Sequence, residues 1–180
     1  MLIAQEKRRD NIAEYILYIW QLEDMLRTLQ FDLVKISKEL VVSYKVDEDT
    51  QLEIYDWYKN LVLMMKKEKI TQKGHLQFVV DLVDDLNRFH QVMLQRSIDV
   101  QYLNSYQLAK PDIDEFRLKS NAKDDHDIMV GFQALYNLSL LKLQKKEITP
   151  ETEQVYSHIS KLIGHLSARY HQYEDGEFEI

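Results

Sequence analysis

Four glycines and two prolines in 180 residues leave this chain very little to turn with. A sheet-rich fold needs turn punctuation every ~8–12 residues, and long stretches here have none. The helix is the architecture that needs few turns. The chain is therefore expected to be all-α, a helical bundle of six or seven helices. Residues 14–26, EYILYIWQLEDML, test that expectation hardest. Six apolar or aromatic residues in a row are too few to span a bilayer, which takes about 20. Tyr, Ile and Trp favour strands locally. Against this, Ile12, Ile16, Ile19, Glu23 and Leu26 recur at three- and four-residue steps, with Tyr15, Leu22 and Leu29 beside them. No turn signal interrupts residues 5–29, so one helix is predicted there. Leu17 and Trp20 lie off the main stripe, which makes the middle of this helix apolar nearly all round. Such a helix is central in a bundle, or buries a second face against a partner.

The other segments read similarly. Residues 32–43 form a short helix carrying Leu33, Ile36, Leu40 and Tyr44. The acidic DEDTQ run leads into a helix near 50–68, striped by Tyr55, Tyr58, Val62 and Met65. Thr71 is the expected N-cap of a helix over 72–96, with Leu76, Val80, Val83, Leu86 and Met93 inward. Short helical pieces are expected on either side of Pro111, then an exposed loop at KSNAKDD. A helix over 125–146 follows, started at DDHD by capping and by acids at its positive end. Thr149 and Pro150 open the last helix, with Glu151 and Glu153 in its first turn. The domain expectation is a single helical domain over 1–173 and an acidic, frayed tail over 174–180.

One internal echo stands out. YKNLVLMMKKEKIT (58–71) resembles YNLSLLKLQKKEIT (136–149), and FHQ (89–91) resembles YHQ (170–172). One reading is a duplicated helical hairpin. The other is that basic helix ends and Thr caps are common punctuation.

Charge and composition narrow the function classes. The formal net charge is −7, and the densest basic cluster, Lys7, Arg8 and Arg9, is flanked by Glu6 and Asp10. That disfavours nucleic acid as a partner. The absence of cysteine removes disulfides, thiolate metal sites and cysteine nucleophiles together. MLIAQEKRRD reaches charge before an apolar signal region can form, and no run is long enough to span a bilayer. The expectation is a cytoplasmic protein with no membrane partner.

Candidate chemistry is sparse. Glu23 lies on the apolar face of the first helix and needs a partner, with Arg27 four residues on in the favourable order. It is read as a general base or ligand, or as half of a structural ion pair. His90 projects from the apolar stripe of 72–96, with Asn87 one turn before it. It is a proton-transfer group or a core histidine bonded to a neighbour. His158, His165 and Arg169 share one flank of the last helix, read as solvated. HISKLIG (158–164) resembles the phosphotransfer-domain pattern through Lys161, but Leu162 stands where Gly is expected. Gly131 and Gly164 inside predicted helices cost about 1 kcal/mol each unless a close helix approach requires them.

The missing motifs weigh more. No Glu-x-x-His pair, no His-Glu-x-x-His, no His-x-x-x-His and no glycine-rich phosphate loop occurs. The reading therefore leans away from an enzyme, with no metal and no cofactor.

The opening, carried by IAQEKRR and NIAEYILYIWQLED, resembles an uncharacterised Bacteroidetes family, a domain of unknown function of about this length. The resemblance implies a helical protein and carries no activity or site residue. The leading function is a non-enzymatic structural or interaction bundle that self-associates as a homodimer, since eleven Tyr and two Trp suit an interface. The second is a small-molecule- or metal-binding enzyme with a polar site of Glu23, Arg27 and His90. The third is histidine phosphotransfer through His158.

Overall fold

The computed structural model describes residues 2–120 and 122–180. Eight α-helices are present among them, not six or seven, and no strand. They are α1 (Leu2–Asp10), α2 (Ile12–Thr28), α3 (Leu33–Ile36), α4 (Glu48–Lys67), α5 (Gln77–Arg96), α6 (Val100–Ser120), α7 (Asp127–Leu143) and α8 (Pro150–Glu174). None is long and apolar enough to cross a membrane.

The extra helix comes from a break at Asn11 inside the stretch predicted as one helix over 5–29. The Asn11 Oδ1 accepts the Ala13 backbone N–H at 3.0 Å and the Ser167 hydroxyl at 2.8 Å. An Asn side chain that binds the backbone two residues on stops a helix without glycine or proline. The short helix expected over 32–43 is present but changes pitch. Capped by Asp32, α3 passes into a π turn (Ser37–Val41) and a 3-10 turn (Val42–Tyr44).

Two further expectations are corrected. Thr71 caps no helix, because α5 starts at Gln77 and residues 68–76 form a loop. In addition, α6 runs unbroken through Pro111. Proline removes the N–H that would bond the Gln107 carbonyl. Both residues are exposed, so water can reach that carbonyl. Other starts follow the sequence. Asp47 caps α4 through the Thr50 N–H, His126 caps α7 through the Met129 N–H, and Thr149 caps α8 ahead of Pro150.

Helix ends explain how so few glycines suffice. After α4, the Lys69 and Ile70 N–H groups bond back to Lys66 and Met65; after α7, Lys145 and Lys146 bond back to Lys142 and Leu141. Both are Schellman closures, in which the first residue past the cap takes the left-handed conformation. Lys69 (φ 61°) and Lys145 (φ 53°) accept that strain where glycine is usual. These ends also bear on the echo. Aligning Tyr58 with Tyr136 sets Lys67, the last residue of α4, against Lys145, two past the end of α7. The two copies thus differ in register.

The chain falls into two compact units within what the sequence reads as one domain. The first is Met1–Arg9 with Glu14–Asp81, the second Asp10–Ala13 with Leu82–Ile180. Buried residues of the first unit include Ile16, Ile19, Trp20, Leu26, Ile36, Tyr58 and Met65. Trp20 is as shielded as Ile16 and Ile19, so the chain itself covers the off-stripe side of α2 at that position. In the second unit α6, α7 and α8 pack on one another. Gly131 permits the α7–α8 approach, since a Cβ there would lie 3.2 Å from the Ile163 Cδ1; at Gly164 it would meet nothing within 4 Å. The end of the chain is not loose over its whole length. Phe178 sets its ring at 6.3 Å from Phe89 and lies under the Arg169 guanidinium.

Candidate functional site

In the first unit, α2 and the 68–76 loop build one polar assembly. Glu23, 1% exposed, accepts the His75 Nδ1–H at 2.6 Å on one oxygen and the Leu76 N–H at 2.8 Å on the other. The His75 ring stacks on Trp20, centroids 3.9 Å apart and 13° from parallel. Arg27 does not serve as the carboxylate's partner, contrary to the expected ion pair. It donates to Asp24 at 2.7 Å, to the Ile70 carbonyl at 3.1 Å and to the Gly74 carbonyl. Glu23 and Arg27 therefore fasten the loop from two sides. The pairing also aims His75: with Nδ1–H donated, a neutral ring keeps its lone pair on Nε2. The sequence offered no periodic signal for His75, which lies in a loop between Gly74 and Leu76.

His90 belongs to the second unit, wholly buried on α5. Its Nδ1 is hydrogen-bonded to the Tyr102 hydroxyl, and its ring meets Tyr106 edge to face at 4.8 Å. The Tyr106 hydroxyl donates to Asp127 at 2.7 Å, and Arg117 bonds both Asp127 and Asp114. Burial pushes the His90 pKa down to about 4, with Asp127 pulling the other way and His126 adding to the fall. At neutral pH it is an uncharged core histidine. Glu23 and Arg27 thus lie in one unit and His90 in the other, each with partners in its own.

The flank of α8 read as solvated faces α6. His158 Nδ1–H donates to Asp112 at 2.7 Å, His165 pairs with Ser105 at 2.9 Å, and Arg169 Nε–H donates to Asp99 at 2.6 Å. Burial works against ionisation of Asp99, but the Tyr102 amide and Arg169 outweigh it and hold the carboxyl below its usual range. Ser105 is not an activated nucleophile. Its hydroxyl proton goes to the Gln101 carbonyl, which leaves its oxygen to accept from His165. Asp112, which binds His158, lines a groove with Glu115, Glu151 and Lys119, three acids to one base around any anionic phosphoryl donor. No group of three or more His, Asp or Glu among the described residues is placed to hold a metal ion.

The first unit also carries a largely apolar groove of about 500 Å³ between α3, the π turn and α4. Val34 from α3, 62% exposed, and Leu52 from α4, 63% exposed, line it together with Val41 and Tyr55. Lys38 and Glu48 border it.

A family model for a domain of unknown function, DUF4924, matches residues 1–177, and the chain belongs to that family. No curated protein and no solved structure matches it.

Proposed function

We propose that this DUF4924 chain is a non-enzymatic interaction protein that self-associates through the α3–α4 groove of its first unit. The observation that carries the reading is the pair of exposed aliphatic residues, Val34 and Leu52, lining one groove. Contiguous apolar surface of this kind marks an interaction site more often than scattered exposed leucines do. A second copy is the favoured occupant because the groove carries both signs of charge. In a two-fold interface the same patch faces itself, so Lys38 of one copy can meet Glu48 of the other. All six histidines are engaged in hydrogen bonds or ion pairs within the chain, which supports a structural use for them.

Light scattering at micromolar concentration is expected to give twice the 21.6 kDa chain mass. Leu52→Asp returns it to one chain with unchanged helix content. Lys38→Glu weakens the dimer, and adding Glu48→Lys to it restores the dimer. A clean monomer mass for the wild type ends the proposal.

The Glu23–His75 pair favours a second reading, a small-molecule enzyme in which Glu23 orients His75 as a proton-transfer group. A soluble metabolite that shifts the His75 ring resonances and is turned over would replace the leading reading. Phosphotransfer through His158 is tested by incubation with an acyl phosphate, with no label on histidine expected.

A further inference from the structure

The His90 imidazole has two nitrogens, and the tyrosine beside it accounts for one. Its Nε2 is buried with no hydrogen-bond partner among the described residues. One turn earlier on α5, the Asn87 Oδ1 is buried and unpartnered in the same way. The protonation of the ring follows from Tyr102. Burial holds that hydroxyl protonated well beyond the ordinary tyrosine range, and its hydrogen bond goes to Nδ1. Nδ1 therefore accepts, and the single proton of a neutral imidazole sits on Nε2.

A donor at residue 90 and an acceptor at residue 87 lie three positions apart on one helix, with Cβ atoms ~5–6 Å apart. Either group is costly to leave unmet out of water. No direct bond joins them. An N–H repels a cation, and the amide oxygen repels an anion. What fits both is a neutral group that accepts from one and donates to the other. We infer that one internal water bridges His90 Nε2–H and Asn87 Oδ1 in the second unit. It completes a chain from Asn87 through His90 to Tyr102, pinning α5 to α6. Internal waters of this kind make two to four bonds to polar groups that would otherwise be unmet.

The wild-type protein tests this by NMR. Long-range ¹H–¹⁵N spectra are expected to show His90 as the Nε2–H tautomer, with a cross-relaxation peak from that proton to long-lived water. The Nδ1–H tautomer, no water peak, or a direct His90–Asn87 bond would overturn the inference. A double-mutant cycle gives an independent reading. Asn87→Leu removes the acceptor, while His90→Asn keeps an oxygen for Tyr102 and removes the Nε2 donor. With a shared water, the double variant melts no lower than the worse single variant. Additive losses of melting temperature count against the bridge.

Discussion

The burial of His90 makes the protein's stability depend on pH in a way that one substitution can isolate. The unfolded chain titrates this residue near the ordinary value of 6.5, whereas the folded chain does so at about 4. Below 6.5 the unfolded chain takes up a proton that the native core refuses, so stability is fully present above that pH. It drains away as pH falls toward 4. The gap between the two values corresponds to roughly 3 kcal/mol, of which about 2 kcal/mol is gone by about pH 5. The Asp127 carboxylate, which partly offsets the effect, is itself held below its usual range despite its burial, by Tyr106, Arg117 and Lys110. Asp127 and Asp99 have lowered folded pKa values, so their contributions are present above ~4 and lost only below it. The window from about pH 7 to about pH 5 therefore separates His90 from them. The assay is urea unfolding of wild type and His90→Gln at both ends of that window. The variant is less stable at pH 7, and the difference is expected to shrink by ~2 kcal/mol at pH 5. If the two proteins lose stability in parallel, His90 is not the buried neutral group described above.

Other substitutions have expected signs. Gly164→Ala should raise stability by ~1 kcal/mol, as nothing crowds a Cβ there, while Gly131→Ala should gain less because Ile163 must move; thermal melts decide. Trp20→Ala should cost ~3–5 kcal/mol, and the same amount at low and high protein concentration, because the chain itself covers the ring. Glu23→Ala strands the His75 ring and the Leu76 amide, for ~3–5 kcal/mol and faster hydrogen exchange in residues 70–76. Lys145→Gly should stabilise by up to ~1 kcal/mol by relieving the left-handed strain, read from the urea midpoint.

What could be read from the sequence was local. The stripe Ile12, Ile16, Ile19, Glu23, Leu26 is buried at every position, because a 3.6-residue period is visible without any partner. Thr149 and Pro150 announced α8 for the same reason. What could not be read depended on residues far along the chain. Asn11 breaks a helix with Ser167 as a partner, and Thr71 loses its cap role to a loop held by Glu23 and Arg27. The buried face of α6 uses Ser105 and Ala109 beside Tyr102 and Ile113, so small and polar residues hid its period. The flank of α8 read as solvated because its partners, Ser105, Asp112 and Asp99, lie on α6 or just before it. His75 had no signal at all, being defined by a carboxylate 52 residues away.

The polar pairs between α6 and α8 constrain how this chain can change in length. Ser105 and Asp112 are seven residues apart, as are His165 and His158, and the two helices run in opposite directions through both pairs. Inserting one residue between 105 and 112 would swing Asp112 about 100° around the helix and strand His158 while Ser105 stays in place. Sliding α8 by one turn, ~5.4 Å, would break both matches at once. That segment therefore tolerates exchange of one residue for another far better than gain or loss. The Gln144–Thr149 connection, which contributes nothing to the pairs, is where related chains are expected to vary in length.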